Sequence, residues 1–169
     1  MTEKALVAVI MGSKSDLAVL EDCFSTLKEF GIPFTGRIMS AHRTPDIAAE
    51  FAKSCEKNGI KVIICAAGMA AHLAGVVAGH TTLPVIGIPM ICEPFNGLDS
   101  LLSMVQMPPG IPVATVTTGK PGAKNAALLA VSILALADKD LSGKLKEFRR
   151  AQAKKVSEAD VELQNKLNA

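Results

Sequence analysis

The stretch that decides the fold is residues 61–68, KVIICAAG, in which apolar residues follow one another without alternation. A strand that is apolar on both faces is buried on both faces, which is typical of a parallel sheet covered by helices. Further strands are predicted at 5–12, 33–40, 83–90 and 111–119, and segments with helical spacing lie between most of them. The alternation predicts right-handed crossovers and a three-layer α/β sandwich (αβα) with a parallel sheet, flavodoxin-like or Rossmann-like.

The C-terminal part of the sequence has a different pattern. Residues 126–137, AALLAVSILALA, are apolar on every side of a helix and must be covered all round. We expect another subunit to cover what the sheet does not, although an ordinary core helix followed by a solvated tail is the alternative. Residues 138–169 are charged and helix-prone, with a break expected near Ser142 and Gly143. We predict a single domain over 1–169, with a core at about 5–137 and a helical extension at 138–169.

Composition excludes several classes of partner. The net charge of +2 gives no basic surface for nucleic acid, and the absence of Trp and Tyr disfavours stacking of bases or flavins. The four cysteines are irregularly spaced, as expected for free thiols in the cytoplasm, and we see no export signal and no membrane span. His72 and His80 are eight positions apart with no carboxylate to complete a ligand set, so we predict no metal.

Candidate ligand-binding residues lie just past the strands, because open parallel sheets bind ligands at the carboxyl ends of their strands. After the first strand, GSKSD (12–16) begins a helix whose N–H groups favour an anion, and Ser13 and Ser15 add hydroxyl donors. Asp16 repels phosphate but accepts hydrogen bonds from ribose hydroxyls. Equally, these serine and aspartate side chains are ordinary helix caps.

The segment SAHRTP (40–45) after the second strand gives a sharper prediction. Arg43 is a fixed cation suited to phosphate, and a histidine such as His42 both gives and takes a proton near neutral pH. The alternative is a packing histidine beside a surface arginine. His72, in AAHLAG (70–75), is on its own residues more often a satisfied core histidine than a catalyst.

Taken together, these motifs resemble a known family. MGSKSD (11–16), SAHRTPD (40–46), AAHLAG (70–75), PVIGIP (84–89), NGLDSLLSMVQMPPGIPVATV (96–116) and GAKNAALLA (122–130) are similar, in the same order, to the bacterial N5-carboxyaminoimidazole ribonucleotide mutases of purine biosynthesis. The resemblance implies a cytoplasmic isomerase that moves a carboxylate from N5 to C4 of a ribonucleotide. It also implies no metal or organic cofactor and a homo-octamer with active sites between subunits.

The resemblance also assigns roles to residues. It implies His42 and His72 as catalytic, with His42 as the acid and base. It implies that the ribonucleotide, its ribose phosphate and the transferred carboxylate are bound by Ser13, Asp16, Ser40, Ala41, Arg43, Gly68, Ala70 and Leu73.

The chain departs from the family pattern in two places. Met69 stands where the family commonly has Gly, Ala74 stands where it has Pro, and residues 90–95, MICEPF, replace a more polar loop. The nearest alternative function is the sister enzyme, which carboxylates aminoimidazole ribonucleotide directly with CO2. A non-catalytic flavodoxin-like binding module is a more distant one.

Overall fold

A computed structural model describes residues 4–168 of the chain. Within them, five parallel strands form one sheet in the order β2-β1-β3-β4-β5. The strands are β1 Val7–Met11, β2 Phe34–Ile38, β3 Val62–Ala67, β4 Val85–Pro89 and β5 Ala114–Thr115. The helices are α1 Leu17–Glu29, α2 Pro45–Cys55, α3 Leu73–Ala78, α4 Leu98–Val105, α5 Gly119–Leu134 and α6 Lys139–Leu167.

This strand order is the flavodoxin-like order, which confirms the predicted fold class. The three central strands β1, β3 and β4 are buried at every position, as their unbroken apolar runs predict. The edge strand β5 has only two residues, much shorter than the run at 111–119. A strand at the edge pairs on one side only, so local β-propensity there receives less support from neighbours.

Helices cover both faces of the sheet. Met104 of α4 packs on one face, where a Cβ added to Gly87 would lie 2.9 Å from its Sδ. Gly122 of α5 approaches Ile88, the next residue of β4, whose side chain points to the opposite face. A buried cluster joins alternate residues of β1 and β3 to α2, α3 and α4 and includes Ala8, Ile10, Ile63, Cys65, Ala48, Ala52, Leu73 and Met104.

Helix α5 begins seven residues earlier than the apolar run at 126–137, because glycines permit its first turn. Gly119 has φ +66°, and a Cβ on Gly122 would overlap the Thr117 carbonyl oxygen. Residues of α5 such as Ala126 and Ala130 are fully buried.

The described residues form two compact units, which divide between Ile133 and Leu134. In the second unit α6 is continuous, so the predicted break near Ser142 and Gly143 is wrong. The Asp138 side chain accepts a hydrogen bond from the Leu141 N–H at 3.0 Å and caps the helix. One exposed glycine costs a helix only about 1 kcal/mol, less than interrupting it would.

The carboxyl ends of neighbouring strands lie side by side at one edge of the sheet. The Gly12 N–H donates to the Ala66 carbonyl at 3.2 Å, Met39 N–H to Met11 at 3.0 Å and Met90 N–H to Ala67 at 3.0 Å. The loops after β1, β2, β3 and β4 therefore leave the sheet at the same edge.

Candidate functional site

A cavity of about 440 Å³ lies at this edge of the sheet. Its polar half comes from the loops after β1 and β2 and comprises Gly12, Ser13, Ser15, Asp16, Ser40, Ala41, His42 and Arg43. Its apolar half comes from the loops after β3 and β4 and comprises Ala67, Gly68, Met69, Ala71, Leu73 and Cys92.

The loop after β1 turns tightly into a short 3₁₀ turn, Lys14–Asp16, that precedes α1. The Ser13 Oγ accepts the Ser15 N–H at 3.3 Å, and the Ser15 hydroxyl donates to Asp16 Oδ1 at 3.2 Å. Asp16 is only 8% exposed. Burial raises the pKa of the Asp16 carboxyl, and the hydrogen bonds from the Ser15 hydroxyl and the Ser13 backbone only partly offset this.

The loop after β2 is organised by Ser40 and Thr44. The Ser40 Oγ accepts the N–H groups of His42 at 3.3 Å and Arg43 at 3.1 Å. The Thr44 Oγ1 accepts the Ser40 N–H at 2.9 Å and donates to the Ser40 carbonyl at 3.0 Å. These bonds fix the backbone that carries His42 and Arg43, whose side chains remain exposed.

Arg43 connects the two polar loops. Its Nη2 donates to the Gly12 carbonyl at 3.0 Å. The bond places the guanidinium beside the 3₁₀ turn, while its other N–H groups remain available to an anion. The sequence alone does not reveal this contact, because it joins residues 31 positions apart.

The apolar half depends on a close approach between two loops. A Cβ added to Gly68 would overlap the Cys92 sulfur, so the thiol lies directly against the Gly68 backbone. Met69 has φ 56° and is 60% exposed. Cys92 is half-buried, whereas Cys23, Cys55 and Cys65 are buried.

His72 is held away from the cavity lining. Its Nδ1 lies within hydrogen-bond distance of the Ser103 carbonyl oxygen, which only accepts, so Nδ1 carries the hydrogen. The ring also occupies the space where a Cβ of Gly75 would be. His72 therefore links the start of α3 to α4.

The structure brings most of the predicted site residues together. Those that line the cavity are Ser13, Asp16, Ser40, Ala41, His42, Arg43, Gly68 and Leu73, whereas Ala70 and His72 do not line it. Cys92 is among the lining residues to which the sequence analysis assigned no role. Its position just past a strand end was the available signal, but a lone cysteine in a loop carries no ligand pattern.

Within 4–168, no group of three or more His, Cys, Asp or Glu side chains is arranged to hold a metal ion. Over the same residues, no helix has the length and apolar character needed to cross a membrane.

Comparison with known proteins identifies the family. The family model for AIR carboxylase matches residues 6–155. The N5-carboxyaminoimidazole ribonucleotide mutase of Saccharolobus solfataricus is 57% identical over 142 residues, covering 84% of this chain and 89% of that protein. The Bacillus subtilis protein of the same name is 50% identical over 158 residues, covering 94% and 98%.

A solved structure agrees with these matches. Treponema denticola PurE superposes with a TM-score of 0.85 at 36% identity, covering 94% of this chain and 98% of that one. The match of the family model to residues 6–155, the identity to relatives along most of the chain and the superposition on a solved structure lead to one conclusion: the chain belongs to the AIR carboxylase family.

Proposed function

We propose that this protein is an isomerase of purine biosynthesis that converts N5-carboxyaminoimidazole ribonucleotide to 4-carboxy-5-aminoimidazole ribonucleotide. One observation carries the proposal: a histidine and an arginine share a small cavity with an apolar wall, in a chain about half identical to mutases. The polar half supplies binding groups for a ribose phosphate. The apolar half suits an uncharged gas.

We assign the ribonucleotide to the polar half. Arg43 is a permanent cation, and Ser13 and Ser40 offer hydroxyls at the edge where helices begin. The buried Asp16 suits hydroxyl donors, because hydrogen bonds from a ribose would stabilise its ionised form. Ala41 adds a small side chain that leaves room for the sugar.

We assign the proton transfers to His42. The imidazolium gives a proton to N5, the bond between N5 and the carboxylate carbon breaks, and its electron pair stays on N5, so CO2 and aminoimidazole ribonucleotide form. C4 then attacks the CO2 carbon, and the C4 proton passes to the neutral imidazole. The histidine ends in the state in which it began, and no co-reactant is consumed.

The decarboxylation and recarboxylation steps require that the released CO2 stays in the site between them. CO2 must remain next to C4 until it is recaptured, and a closed site favours this through proximity. Gly68 and Leu73 lie on the apolar half, which supports the roles predicted for them. For His72 and Ala70, which do not line the cavity in the protomer, the predicted roles rest on the resemblance alone.

One observation favours a second candidate. The matching family model is described as AIR carboxylase, an activity that would use CO2 from solution on aminoimidazole ribonucleotide. The two candidates share the second half of the chemistry and differ in the source of the carboxyl carbon.

A substrate test separates them. The enzyme is given freshly made N5-carboxyaminoimidazole ribonucleotide in buffer purged of bicarbonate, and the C4 carboxylate is followed by its absorbance. The mutase proposal predicts product at once. Product that forms only from aminoimidazole ribonucleotide with added bicarbonate would support the carboxylase.

We also propose that the protein acts as a homo-oligomer, an octamer, in the cytoplasm, with its single domain repeated in each subunit. An apolar surface around α4 supports self-association, because Leu98, Leu102 and Val105 follow one another at helical spacing and are each 45% exposed or more. Ile91 and Phe95 extend it, at 61% and 63% exposed. Light scattering on the full chain and on Leu102→Glu tests this: we expect eight subunits for the first and fewer for the second.

A further inference from the structure

Two sulfur-containing side chains line the same half of the cavity. Met69 comes from the loop after β3 and Cys92 from the loop after β4, and both line the apolar half. We propose that these two side chains retain carbon dioxide between its release from N5 and its capture by C4, and so set the fraction of turnovers that reach product. This inference rests on the proposed mutase function.

The position of Cys92 is fixed by a backbone contact. Its sulfur occupies the space that a Cβ of Gly68 would fill, so the thiol lies against bare backbone. The Met90 Cβ lies 3.5 Å from that space, so the Cys92 loop packs against Gly68 at two positions. Cys92 is therefore a part of the cavity wall whose position is set by its contact with Gly68.

Met69 complements this rigid element. Its backbone has φ 56°, a conformation that residues with a Cβ seldom adopt and that glycine adopts readily. A flexible, largely exposed thioether side chain in this place adapts its shape to what lies beside it. Glycine at this position would relieve the backbone strain, so a change from Met69 to Gly removes the side chain without adding strain.

The chemistry of CO2 explains the role proposed for these side chains. The molecule is small, uncharged and unable to donate a hydrogen bond, so a polar wall binds water in preference to it. Thiol and thioether groups form only weak hydrogen bonds, so water binds weakly to a wall made of them. The donors and charges of the cavity lie on the other half, with Ser13, Arg43 and His42. Water kept out of the apolar half neither displaces nor hydrates the gas.

The test measures leakage directly. Each enzyme receives saturating N5-carboxyaminoimidazole ribonucleotide in buffer purged of CO2, and chromatography quantifies both the C4-carboxylated product and free aminoimidazole ribonucleotide, after subtraction of spontaneous decay. The variants are Met69→Gly, which removes the side chain and relieves the backbone, and Cys92→Ser, which keeps the size and adds a strong hydrogen-bonding group. Met69→Leu keeps an apolar side chain.

We expect the ratio of released to recaptured CO2 to rise about three- to tenfold in Met69→Gly and Cys92→Ser, while KM changes less than about twofold. Met69→Leu should behave as the wild type. Ile111→Gly is the matched control, since Ile111 is also exposed and apolar but lines a separate cavity, with Thr81 and Pro112.

Two results would overturn the inference: an unchanged ratio in both variants, or a leak that Ile111→Gly reproduces. Failure of the proposed function gives a different result, because the wild type itself would then form no C4 carboxylate from the carbamate in purged buffer.

Discussion

The two halves of the cavity are built in different ways. In the polar half, positions are set by hydrogen bonds: Ser40 holds the N–H groups of His42 and Arg43, and the Arg43 side chain reaches the Gly12 carbonyl at 3.0 Å. In the apolar half, positions are set by steric contact, as where the Cys92 sulfur lies on Gly68. One half is equipped to bind charge and move protons, and the other to exclude water.

This difference suggests a division of labour between the halves. Changes in the polar half should alter either the rate of proton transfer or the affinity for the ribonucleotide. Changes in the apolar half should alter what becomes of the released CO2.

Replacing His42 with asparagine should have the largest effect. Asparagine keeps a hydrogen-bonding side chain but moves no proton, so we expect turnover to fall about 10³-fold. Ribonucleotide affinity, measured by calorimetry, should change less than about threefold, because Arg43 rather than His42 binds the phosphate. His80→Asn is the matched control, since His80 is exposed and does not line the cavity. Normal turnover in His42→Asn would break the assignment of roles.

Replacing Arg43 with alanine should mainly weaken binding. Loss of a charge-assisted contact to phosphate predicts an affinity about 10- to 100-fold lower, with a smaller effect on single-turnover rate at saturation. Arg37→Ala is the control, because the Arg37 guanidinium lies 5.6 Å from the centre of the Phe51 ring and outside the cavity lining. An equal loss of ribonucleotide affinity in the two variants would argue against specific binding of the phosphate by Arg43.

Replacing Asp16 with asparagine should separate binding from stability. Burial raises the pKa of the Asp16 carboxyl in the folded protein above its value of 3.8 in the unfolded chain. The protonated carboxyl therefore contributes its full stabilisation below pH 3.8, and this contribution is lost as the pH rises through the pKa of the folded state. At pH 7 the variant should therefore melt slightly higher than the wild type, while at pH 3 the two should match. Affinity for the ribonucleotide should fall about tenfold. A variant that binds normally and melts lower at pH 7 would contradict both expectations.

The smallest effect concerns the thiols. Burial raises the pKa of Cys23 to about 12 and of Cys55 to about 11, so these thiols stay protonated in the fold. These protonated thiols stabilise the fold fully below pH 9.0, which is the pKa of a thiol in the unfolded chain. The stabilisation is lost as the pH rises toward 11 and 12, so the melting temperature should fall over that range.

Iodoacetamide at pH 8 should label the half-buried Cys92 first, and bound ribonucleotide should slow the labelling. Labelling of Cys23 at an equal rate would show that the core opens readily.

Sequence patterns were sufficient for the fold because it depends on burial. Strands such as 62–67 are apolar at every position, and that property depends on no distant partner. The continuous course of α6 through Ser142 and Gly143 was not predictable in the same way. Local signals favoured a break, and the Asp138 cap together with the helical neighbours outweighed them.

The site was predictable only where residue chemistry is specific. A histidine next to an arginine after a strand end identified the loop at 40–45, and both residues line the cavity. The orientation of His72 toward Ser103 depends on the packing of α4 beside α3, which no local pattern encodes. The contact of Cys92 with Gly68 likewise joins two loops that are distant in sequence.

The most direct test of the account follows one carbon atom. N5-carboxyaminoimidazole ribonucleotide labelled with ¹³C in its carboxylate is converted by the wild-type enzyme in the presence of excess unlabelled bicarbonate, and mass spectrometry reads the C4 carboxylate. A confined transfer predicts that nearly all of the product keeps the label. Product whose isotope content follows the bicarbonate pool would contradict it.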